Sequence, residues 1–310
     1  MGCLSAGGVQ AQPWPTRPLT FVVPVTAGTA TDILARVVGK QMGERLGQSI
    51  IVENKPGASG NIGSEAVAKA PPDGYSVLIT TINLSMAPAL FPQLSYSPAK
   101  DLAAVGMIAE LPLALAVNAA LPVDNLSELV KLAKQQPGKL NYATPGNATP
   151  HHFGVELLKQ ATGMDLMHVP YKGTSGALVD IAAGRAQVGY FSVANVLSYL
   201  DSGKMKILAT GSENRLPLSP NVPTLRELGL KNAEILPWVG AFVPAGTPAP
   251  IIAKLEKTML GVMRDPAVAE QLIQQGFVPA PRSAQEMDKV MQSDLVRWPK
   301  VAAKAHITAE

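Results

Sequence analysis

Three segments of the sequence are rich in small hydroxyl, amide and glycine residues, and none of the three contains lysine or arginine. They cover residues 25–31, 80–85 and 144–151, which read VTAGTAT, TTINLS and TPGNATPH. Each follows a short apolar run and precedes a helical pattern, so each predicts a strand-to-helix loop. The first amide groups of a helix are unpaired and together carry about half a positive charge. Such loops could bind a carboxylate or a phosphate through backbone amides.

Short side chains in these loops would let a ligand, or a bridging water molecule, approach the backbone closely. Strong phosphate sites usually add a lysine or an arginine, so the lack of basic residues favours a small carboxylate. Ordinary α/β turns favour the same residue types, and that alternative stays open. The candidate ligand contacts come from the three loops and from three later positions next to predicted strands, and they are Thr26, Ala27, Gly28, Thr29, Ala30, Thr81, Asn83, Thr144, Gly146, Asn147, Thr149, His151, Tyr171, Ser192 and Trp238.

Two aromatic candidates allow two interpretations each. Tyr171 follows a predicted strand and could either line a ligand cleft or cover the edge of a sheet. Trp238 precedes another predicted strand and could be either a cleft wall or a packing residue at a hinge. The sequence leaves both choices open.

Catalytic and metal-binding patterns are weak. The adjacent histidines at 151 and 152 cannot both face one metal from the start of a helix, and no cysteine or carboxylate stands at ligand spacing. No G-x-S-x-G nucleophile motif and no phosphate-binding P-loop occurs. Residues 57–63 (GASGNIG) lack the spacing of a dinucleotide-binding motif, and we interpret them as a turn followed by close helix packing. The sequence therefore predicts no enzyme, no metal and no cofactor.

Alternating strand and helix patterns would position the three loops. Short apolar runs at 19–25, 49–53 and 75–80 predict buried strands. A helix follows the first of them, with a predicted cap at Thr31 or Asp32. This rhythm is typical of βαβ units on a mostly parallel sheet. In such a sheet the ligand lies beyond the carboxyl ends of the strands, where the candidate loops fall.

The pattern then restarts and predicts a second α/β unit. The C-terminal portion is mainly helical, has too few strands for a sheet of its own, and is expected to pack on the first unit. The fold class is therefore α/β with two lobes, joined by crossings near Leu113–Asn118 and residues 236–241. We assign residues 12–115 and 240–310 to the first lobe and residues 116–239 to the second.

Composition excludes several classes of protein. Of the 310 residues, 47% are hydrophobic, which is enough for a sizeable core. The 26 basic and 23 acidic residues give a net charge of +3 and form no basic run, which argues against nucleic-acid binding. Cys3 is the only cysteine in the sequence, so no internal disulfide can form. No apolar run of about 18 residues or more predicts a membrane span.

Residues 1–11 (MGCLSAGGVQA) are typical of the tail of a signal peptide. Val9 and Ala11 are small residues three and one before a possible cut after residue 11, as signal peptidase requires. We therefore expect an exported, periplasmic protein, and a simple N-terminal extension is the alternative.

Six segments of the chain, taken in order, resemble the Bug-type or TctC-type periplasmic solute-binding receptors of tripartite tricarboxylate transporters. Their order and spacing are more specific than any one segment alone. The resemblance covers nearly all of the chain from Trp14 onward. The segments are WPTRPLTFVVPVTAGTATDILAR, IIVENKPGASGNIGSEAVAKAPPDGYSVL, PGKLNYATPGNATPHH, HVPYKGTSGALVDIAAGRAQVGY, NVPTLRELGL and FVPAGTPAPI.

The resemblance implies a Venus-flytrap fold of the periplasmic-binding-protein kind, type II-like, with a ligand cleft between two lobes. It implies a receptor that captures a small organic carboxylate, such as a dicarboxylate or an aromatic acid, for membrane transporter subunits. In the family, a carboxylate is held between the first strand-to-helix loop and a loop of the second lobe, which are residues 26–31 and 144–151 here. We expect a monomer. The alternatives are a receptor that presents its ligand to a sensor kinase, or a binder of acidic amino acids.

The chain departs from the family pattern at two places. The first loop of relatives is richer in glycine, and here Thr29 and Ala30 replace two glycines. Relatives commonly carry Asp-Asn where this chain has Ser192 and Val193. The missing carboxylate removes a partner for a ligand amino group, which disfavours an amino acid and favours a plain organic acid.

Overall fold

Eleven strands and ten α-helices alternate along the part of the chain that the structure describes. The structure is a computed structural model, and it describes residues 14–309. The strands are β1 (Leu19–Val23), β2 (Ile50–Asn54), β3 (Ser76–Thr81), β4 (Leu102–Glu110), β5 (Leu113–Asn118), β6 (Asn141–Thr144), β7 (Met167–Pro170), β8 (Val188–Ser192), β9 (Met205–Thr210), β10 (Trp238–Pro244) and β11 (Val278–Arg282). The helices are α1 (Ala30–Leu46), α2 (Asn61–Ala68), α3 (Asn83–Leu90), α4 (Leu126–Gln135), α5 (Pro150–Thr162), α6 (Thr174–Ala182), α7 (Val193–Asp201), α8 (Ala249–Met263), α9 (Pro266–Gln274) and α10 (Ala284–Ala305).

The first sheet has six strands in the order β11-β4-β10-β3-β1-β2. Strand β1 lies between β2 and β3 and runs parallel to both, whereas β10 runs antiparallel to β3. The connections through α1 and α2 are the predicted βαβ units. Because β1, β2 and β3 are parallel, their carboxyl ends meet at one edge of the sheet, and so do the loops that follow them.

Helix α1 covers one face of this sheet because its apolar residues recur at helical spacing. Leu34, Val38 and Met42 are almost fully buried. They pack in one core with Phe21 of β1. The helix ends at Gly47, whose φ of 69° is a left-handed conformation that glycine adopts without strain.

The second sheet has five strands in the order β7-β6-β8-β5-β9. Strand β6 runs parallel to β7 and to β8, and β5 runs antiparallel to β8 and to β9. Leu115, Tyr142, Leu158 and Val188 are fully buried in the same core and join this sheet to α5. The carboxyl ends of β6, β7 and β8 therefore also lie together, which places the β6–α5 loop at the edge where a ligand is expected.

The chain passes twice between the two sheets. Strand β4 belongs to the first sheet and β5 to the second, while β9 belongs to the second and β10 to the first. The predicted lobe divisions after residues 115 and 239 therefore fall inside β5 and β10. Because hydrogen bonding keeps each of these strands within one sheet, divisions before Leu113 and before Trp238 fit the sheets better. The lobe assignment itself stays a prediction.

Strands β4 and β11 lie outside the sequence prediction. Strand β11 contains Pro279 and Pro281, which cannot donate backbone hydrogen bonds, and it is tolerated because it forms the edge of the sheet. Strand β4 contains Gly106 at a position where a Cβ would lie 2.6 Å from the carbonyl oxygen of Arg282. The glycine lets the two strands approach each other, and it also breaks the apolar alternation that marks a strand.

The C-terminal helices pack on the first sheet, as the sequence predicts. Helix α10 begins with a capping box formed by Ser283 and Glu286 and packs against α3 and β4. Its Asp294 accepts hydrogen bonds from Oγ of Ser85 at 3.0 Å and from Nε1 of Trp238 at 2.9 Å. These bonds tie α10 to the start of α3 and to the start of β10.

Within residues 14–309, none of the helices combines the length and the apolar character that a membrane span needs. The predicted signal-peptide tail, residues 1–11, and Cys3 lie outside the described residues.

Candidate ligand-binding cleft

A cleft of about 520 Å³ opens at the carboxyl ends of β1, β2 and β3, and Pro145 from the β6–α5 loop also lines it. Its volume is within the range of small-molecule sites, roughly 300–1,000 Å³. Four of the predicted contacts line it, namely Thr26, Thr29, Thr81 and Asn83. Among the described residues that line this cleft, none is charged. The structure therefore brings loops of both sheets to one uncharged cavity.

The turn after β2 also lines the cleft, although the sequence predicts only a packing role for it. Gly57, Ser59 and Gly60 are lining residues. Ala58 and Ser59 adopt left-handed backbone conformations, with φ of 47° and 55°, and the turn leads into the first amides of α2. Since β2 runs parallel to β1, the loop that follows it falls at the same edge of the sheet. The sequence would have identified these residues if the same rule had been applied to β2 as well as to β1 and β3.

Helix α1 begins at Ala30 with Thr29 as its N-cap, whereas the sequence predicts a cap at Thr31 or Asp32. Both predicted cap residues lie inside the first turn of the helix and are buried. The difference arises because the Asp32 carboxylate reaches back to the amide of Gly28 at 2.8 Å. It stabilises the start of the helix from within its first turn, as the acidic residue of a capping box does.

The carboxylate of Asp32 also binds two side chains. It forms an ion pair with Arg36 at 3.0 Å and accepts a hydrogen bond from Nδ2 of Asn54 at 2.9 Å. Burial raises the pKa of Asp32, but hydrogen bonds from Arg36, Gly28 and Asn54 outweigh it and lower the pKa below its ordinary value. The amide of Gly28 is therefore occupied by an ionised internal carboxylate, so a ligand has to use other amides of the first turn of α1.

Hydroxyl groups supply further hydrogen bonds in the first loop. Oγ1 of Thr29 donates to the carbonyl oxygen of Thr26 at 2.9 Å. A ligand carboxylate that accepts this proton has to replace the internal bond. The exposed side chain of Thr26 also lines the cleft.

The β6–α5 loop is tied together internally. Thr144 is fully buried, and its Oγ1 bonds the carbonyl oxygen of Gly146 at 3.0 Å and Nε2 of His168 at 2.7 Å. Thr149 is the N-cap of α5, and its hydroxyl donates to the same Gly146 carbonyl at 2.9 Å. Thr144 and Thr149 therefore shape the loop, and Pro145 is the loop residue that lines the cleft.

Three further candidates, His151, Tyr171 and Ser192, lie outside the lining of the cleft. The ring of His151 packs against Phe191 with centroids 5.5 Å apart, and burial lowers its pKa to about 4, so the ring is neutral at neutral pH. The hydroxyl of Tyr171 donates to Asp180 at 2.6 Å. Ser192 is buried and precedes α7. The remaining predicted loop residues adjoin the cleft along the chain without lining it, and they are Ala27, Gly28, Ala30, Thr144, Gly146, Asn147 and Thr149.

Trp238 is a packing residue and does not form a wall of the cleft. Its side chain is 2% exposed, and its Nε1 donates to Asp294. Its ring lies 5.9 Å from that of Phe242, and its carbonyl oxygen accepts the amide of Ile82 at 3.2 Å. The structure therefore favours the packing interpretation, at the start of β10 where the chain returns to the first sheet.

The cleft can hold an anion by backbone amides and hydroxyl groups. The described residues that line it include no histidine, cysteine or carboxylate that could act as a base or a nucleophile. Among residues 14–309, no group of three or more histidine, cysteine, aspartate or glutamate side chains is placed to hold a metal ion. The arrangement suits reversible binding of a small acid.

Two α/β sheets joined by two crossings, with loops from both lining one cleft, define a two-lobed periplasmic-binding-protein fold, as predicted. The family model described as the tripartite tricarboxylate transporter family receptor, TctC, matches residues 34–307, and the chain belongs to that family. The resemblance seen in the sequence is thereby confirmed. Members of this family are solute-binding receptors, so the chain is a receptor and not an enzyme.

Several relatives cover nearly the whole chain. Protein BugT of Bordetella pertussis is 32% identical over 295 residues, which are 94% of this chain and 90% of BugT. The structure of Rpa4515 of R. palustris with adipate is 34% identical, has a TM-score of 0.81, and covers 95% of this chain and 99% of that chain. The structure of MatC (Rpa3494) from Rhodopseudomonas palustris with bound malate is 32% identical and has a TM-score of 0.77. The match covers 93% of this chain and 99% of MatC.

Proposed function

We propose that this protein is a monomeric periplasmic receptor that captures a small organic dicarboxylate or aromatic acid and delivers it to the membrane subunits of a tripartite tricarboxylate-type transporter. The observation that carries the proposal is the cleft at the ends of three parallel strands. Its described lining consists mainly of hydroxyl, amide and glycine residues, together with Pro24, Val25 and Pro145, and includes no charged side chain.

The ligand carboxylate would lie at the start of α1. The first amides of that helix point away from the helix unpaired, and the helix dipole favours a negative charge there. Thr26, Thr29, Thr81 and Asn83 supply additional polar groups around this position. Pro145 would approach the ligand from the second lobe, so that closing the two lobes shields it from water.

Two relatives support a dicarboxylate. Rpa4515 is described with adipate and MatC with malate, and both are at least 32% identical to this chain. The absence of aspartate at Ser192 is weaker support than the sequence suggests. Ser192 is buried outside the lining of the cleft, so its identity does not by itself choose between ligand classes.

A thermal-shift panel followed by calorimetry tests the ligand class. Adipate, malate, benzoate, glutamate and phosphate are compared with the diamide of adipic acid. A ligand at about 100 times its Kd adds about 2.7 kcal/mol to the free energy of unfolding, which raises the midpoint by several degrees. We expect one acid class to shift the midpoint and the diamide to leave it unchanged. A shift by phosphate or by the diamide, with none by an organic acid, would overturn the proposal.

A matched pair of variants tests the position of the site. Thr26→Val removes a hydroxyl from the cleft and keeps the shape of the side chain. Thr308→Val makes the same change at an exposed position far along the chain. We expect Thr26→Val to weaken binding of the acid about fivefold, and Thr308→Val to leave it unchanged. Equal Kd values for the two variants would place the ligand elsewhere.

A further inference from the structure

Two histidine rings stack beneath the β6–α5 loop. His152 on α5 and His168 on β7 have ring centroids 3.9 Å apart and an interplanar angle of 27°. The ring of Tyr142 on β6 is stacked with that of His168, with centroids 4.8 Å apart, and its centroid lies 6.1 Å from that of His152. His152 is 8% exposed, Tyr142 is fully buried and His168 is half-buried, so the three rings join α5 to β6 and β7 of the second sheet.

Each histidine binds one end of the loop. Nε2 of His168 lies 2.7 Å from Oγ1 of Thr144, at the end of β6. Nδ1 of His152 accepts a hydrogen bond from the amide of Ala148 at 3.3 Å. Ala148 adopts a left-handed φ of 57°, which is strained for a residue with a Cβ, so its conformation depends on such contacts. Pro145, which lines the cleft, lies between these two attachment points.

The bond to Ala148 requires an unprotonated ring. An imidazole nitrogen accepts a hydrogen bond only when it carries no proton. A proton on Nδ1 of His152 would turn this acceptor into a donor that faces the Ala148 amide. Protonating both histidines would also place two positive charges in rings stacked at 3.9 Å.

The charged and titratable groups around the pair come from α5 and β6. Glu156 accepts the hydroxyl proton of Tyr142 at 2.7 Å and is paired with Lys159 at 2.7 Å. The negative Glu156 raises the pKa of His168, whereas the positive Lys159 lowers the pKa of both histidines. Glu156 is thus already engaged by two partners and does not bind either imidazole directly.

We propose that His152 and His168 are positioning residues of the ligand site, which as a neutral stacked pair hold the β6–α5 loop in its binding geometry and release its Ala148 end when they are protonated. This proposal rests on the proposed function, because it assigns the loop to the carboxylate site. Ligand affinity would then fall at acidic pH because the histidines of the protein are protonated, in addition to any protonation of the ligand.

The protonation behaviour of the pair agrees with this role. Burial lowers the pKa of His152 to about 3 and that of His168 to about 4. Both rings are neutral at neutral pH, so the loop is held under ordinary conditions. Release is expected only as the pH falls toward these values.

Isosteric variants separate positioning from simple packing. His152→Asn keeps an acceptor near the place of Nδ1, and His168→Gln keeps a polar group near the place of Nε2, whereas leucine at either position keeps bulk and removes the bond. With adipate as the probe at about pH 7, we expect each leucine variant to bind about tenfold more weakly. The asparagine and glutamine variants should stay within about threefold of the parent protein.

The pH dependence of ligand affinity is a readout that would not change if the two histidines only packed in the interior. Adipate itself takes up protons in acid, which weakens its binding to every variant alike. We therefore compare the Kd at about pH 7 and about pH 3.5 in the parent protein and in the double variant His152→Asn, His168→Gln. The parent is expected to lose more affinity than the double variant. An equal loss, or leucine variants that bind like the parent, would overturn the proposal.

A measurement without ligand separates this proposal from the proposed function. Amide hydrogen exchange at Ala148, followed by NMR, should be at least about tenfold faster in His152→Leu than in the parent or in His152→Asn. If the parent does not bind adipate but this difference is present, the ligand class is wrong and the positioning role stands. If exchange at Ala148 is the same in all three proteins, the positioning role is wrong.

Discussion

At the scale of single residues, Asp32 shows how an internal anion can prepare a site for an external one. Its carboxylate binds the Gly28 amide, Arg36 and Asn54, and it is 2% exposed. One amide of the first loop is thereby fixed, and the remaining amides of the helix start are held in place. The negative charge is balanced by Arg36, so the cleft is not made repulsive to a carboxylate.

Replacing Asp32 by alanine should destabilise the protein and loosen the first loop. The change leaves the Gly28 amide and the Arg36 guanidinium without their shared partner, and we expect the free energy of unfolding to fall by about 1–3 kcal/mol. Asp32→Asn is the control, because its side-chain oxygen can still accept the Gly28 amide. Urea unfolding measures both. A loss for asparagine as large as that for alanine would show that the charge pair, and not the amide bond, carries the effect.

Replacing Trp238 by phenylalanine separates packing from ligand contact. Asp294 would keep its bond to Ser85 and lose the bond from the indole, while the cleft lining would be untouched. We expect a loss of about 1–3 kcal/mol in unfolding free energy and an unchanged Kd for the acid ligand. A weaker Kd with unchanged stability would return Trp238 to the cleft wall.

At the scale of elements, a close approach joins the two sheets outside the lining of the cleft. Gly276, in the turn between α9 and β11, has a φ of 84°, and a Cβ there would lie 2.3 Å from the Cβ of Ala194 on α7. Beside it, Val193 and Leu216 form a small apolar cluster against which Val278 packs. This contact links the turn before an edge strand of the first sheet to a helix of the second.

Gly276→Ala should therefore destabilise more than the same change at Gly229. Both glycines are left-handed, with φ of 84° and 80°, but a Cβ at Gly229 would have no atom of the described residues within 4 Å. We expect the difference between the two variants in urea unfolding to be about 1–3 kcal/mol, from overpacking. Adding Ala194→Gly to Gly276→Ala should recover part of the difference. No recovery would mean that backbone strain dominates at Gly276.

Local patterns predict most elements but not all. Short apolar runs predict β1, β2 and β3, apolar residues at helical spacing predict α1, and these elements occur close to where the sequence places them. Strands β4 and β11 were missed because glycine and proline weaken the pattern, and both strands are held by neighbours far away in the chain. Similarly, the turn at 57–60 lines the cleft through the pairing of β2 with β1, which no local pattern records.

At the scale of the whole molecule, one buried histidine, His152, and two half-buried ones, His151 and His168, should make stability depend on pH. Burial lowers the pKa of His151 to about 4, of His152 to about 3 and of His168 to about 4. The unfolded chain takes up these protons from about pH 6.5, before the folded protein does, so stability falls as the pH decreases from about 6.5 to about 4. Glu110 and Asp294 act in the opposite direction, because burial raises the pKa of both in the folded protein.

His151→Phe isolates one of these contributions. Nδ1 of His151 is buried and has no hydrogen-bond partner among residues 14–309, so phenylalanine removes a titration without breaking a bond at that atom. We expect the slope of unfolding free energy against pH, between about pH 6 and about pH 5, to decrease by roughly 1 kcal/mol per pH unit. Urea unfolding across this range measures the slope. An unchanged slope would mean that the ring is already protonated in the folded protein.

The sequence by itself determined the α/β class, the two-unit organisation, the family and the uncharged loops, because these depend on residue type, periodicity and order along the chain. The tertiary structure decided which amides stay open, since Asp32 occupies the one at Gly28. It also placed Trp238 in the interior and brought His152 and His168 together under the second loop. These outcomes depend on contacts between residues that folding brings close in space, and neither composition nor local spacing encodes such distances.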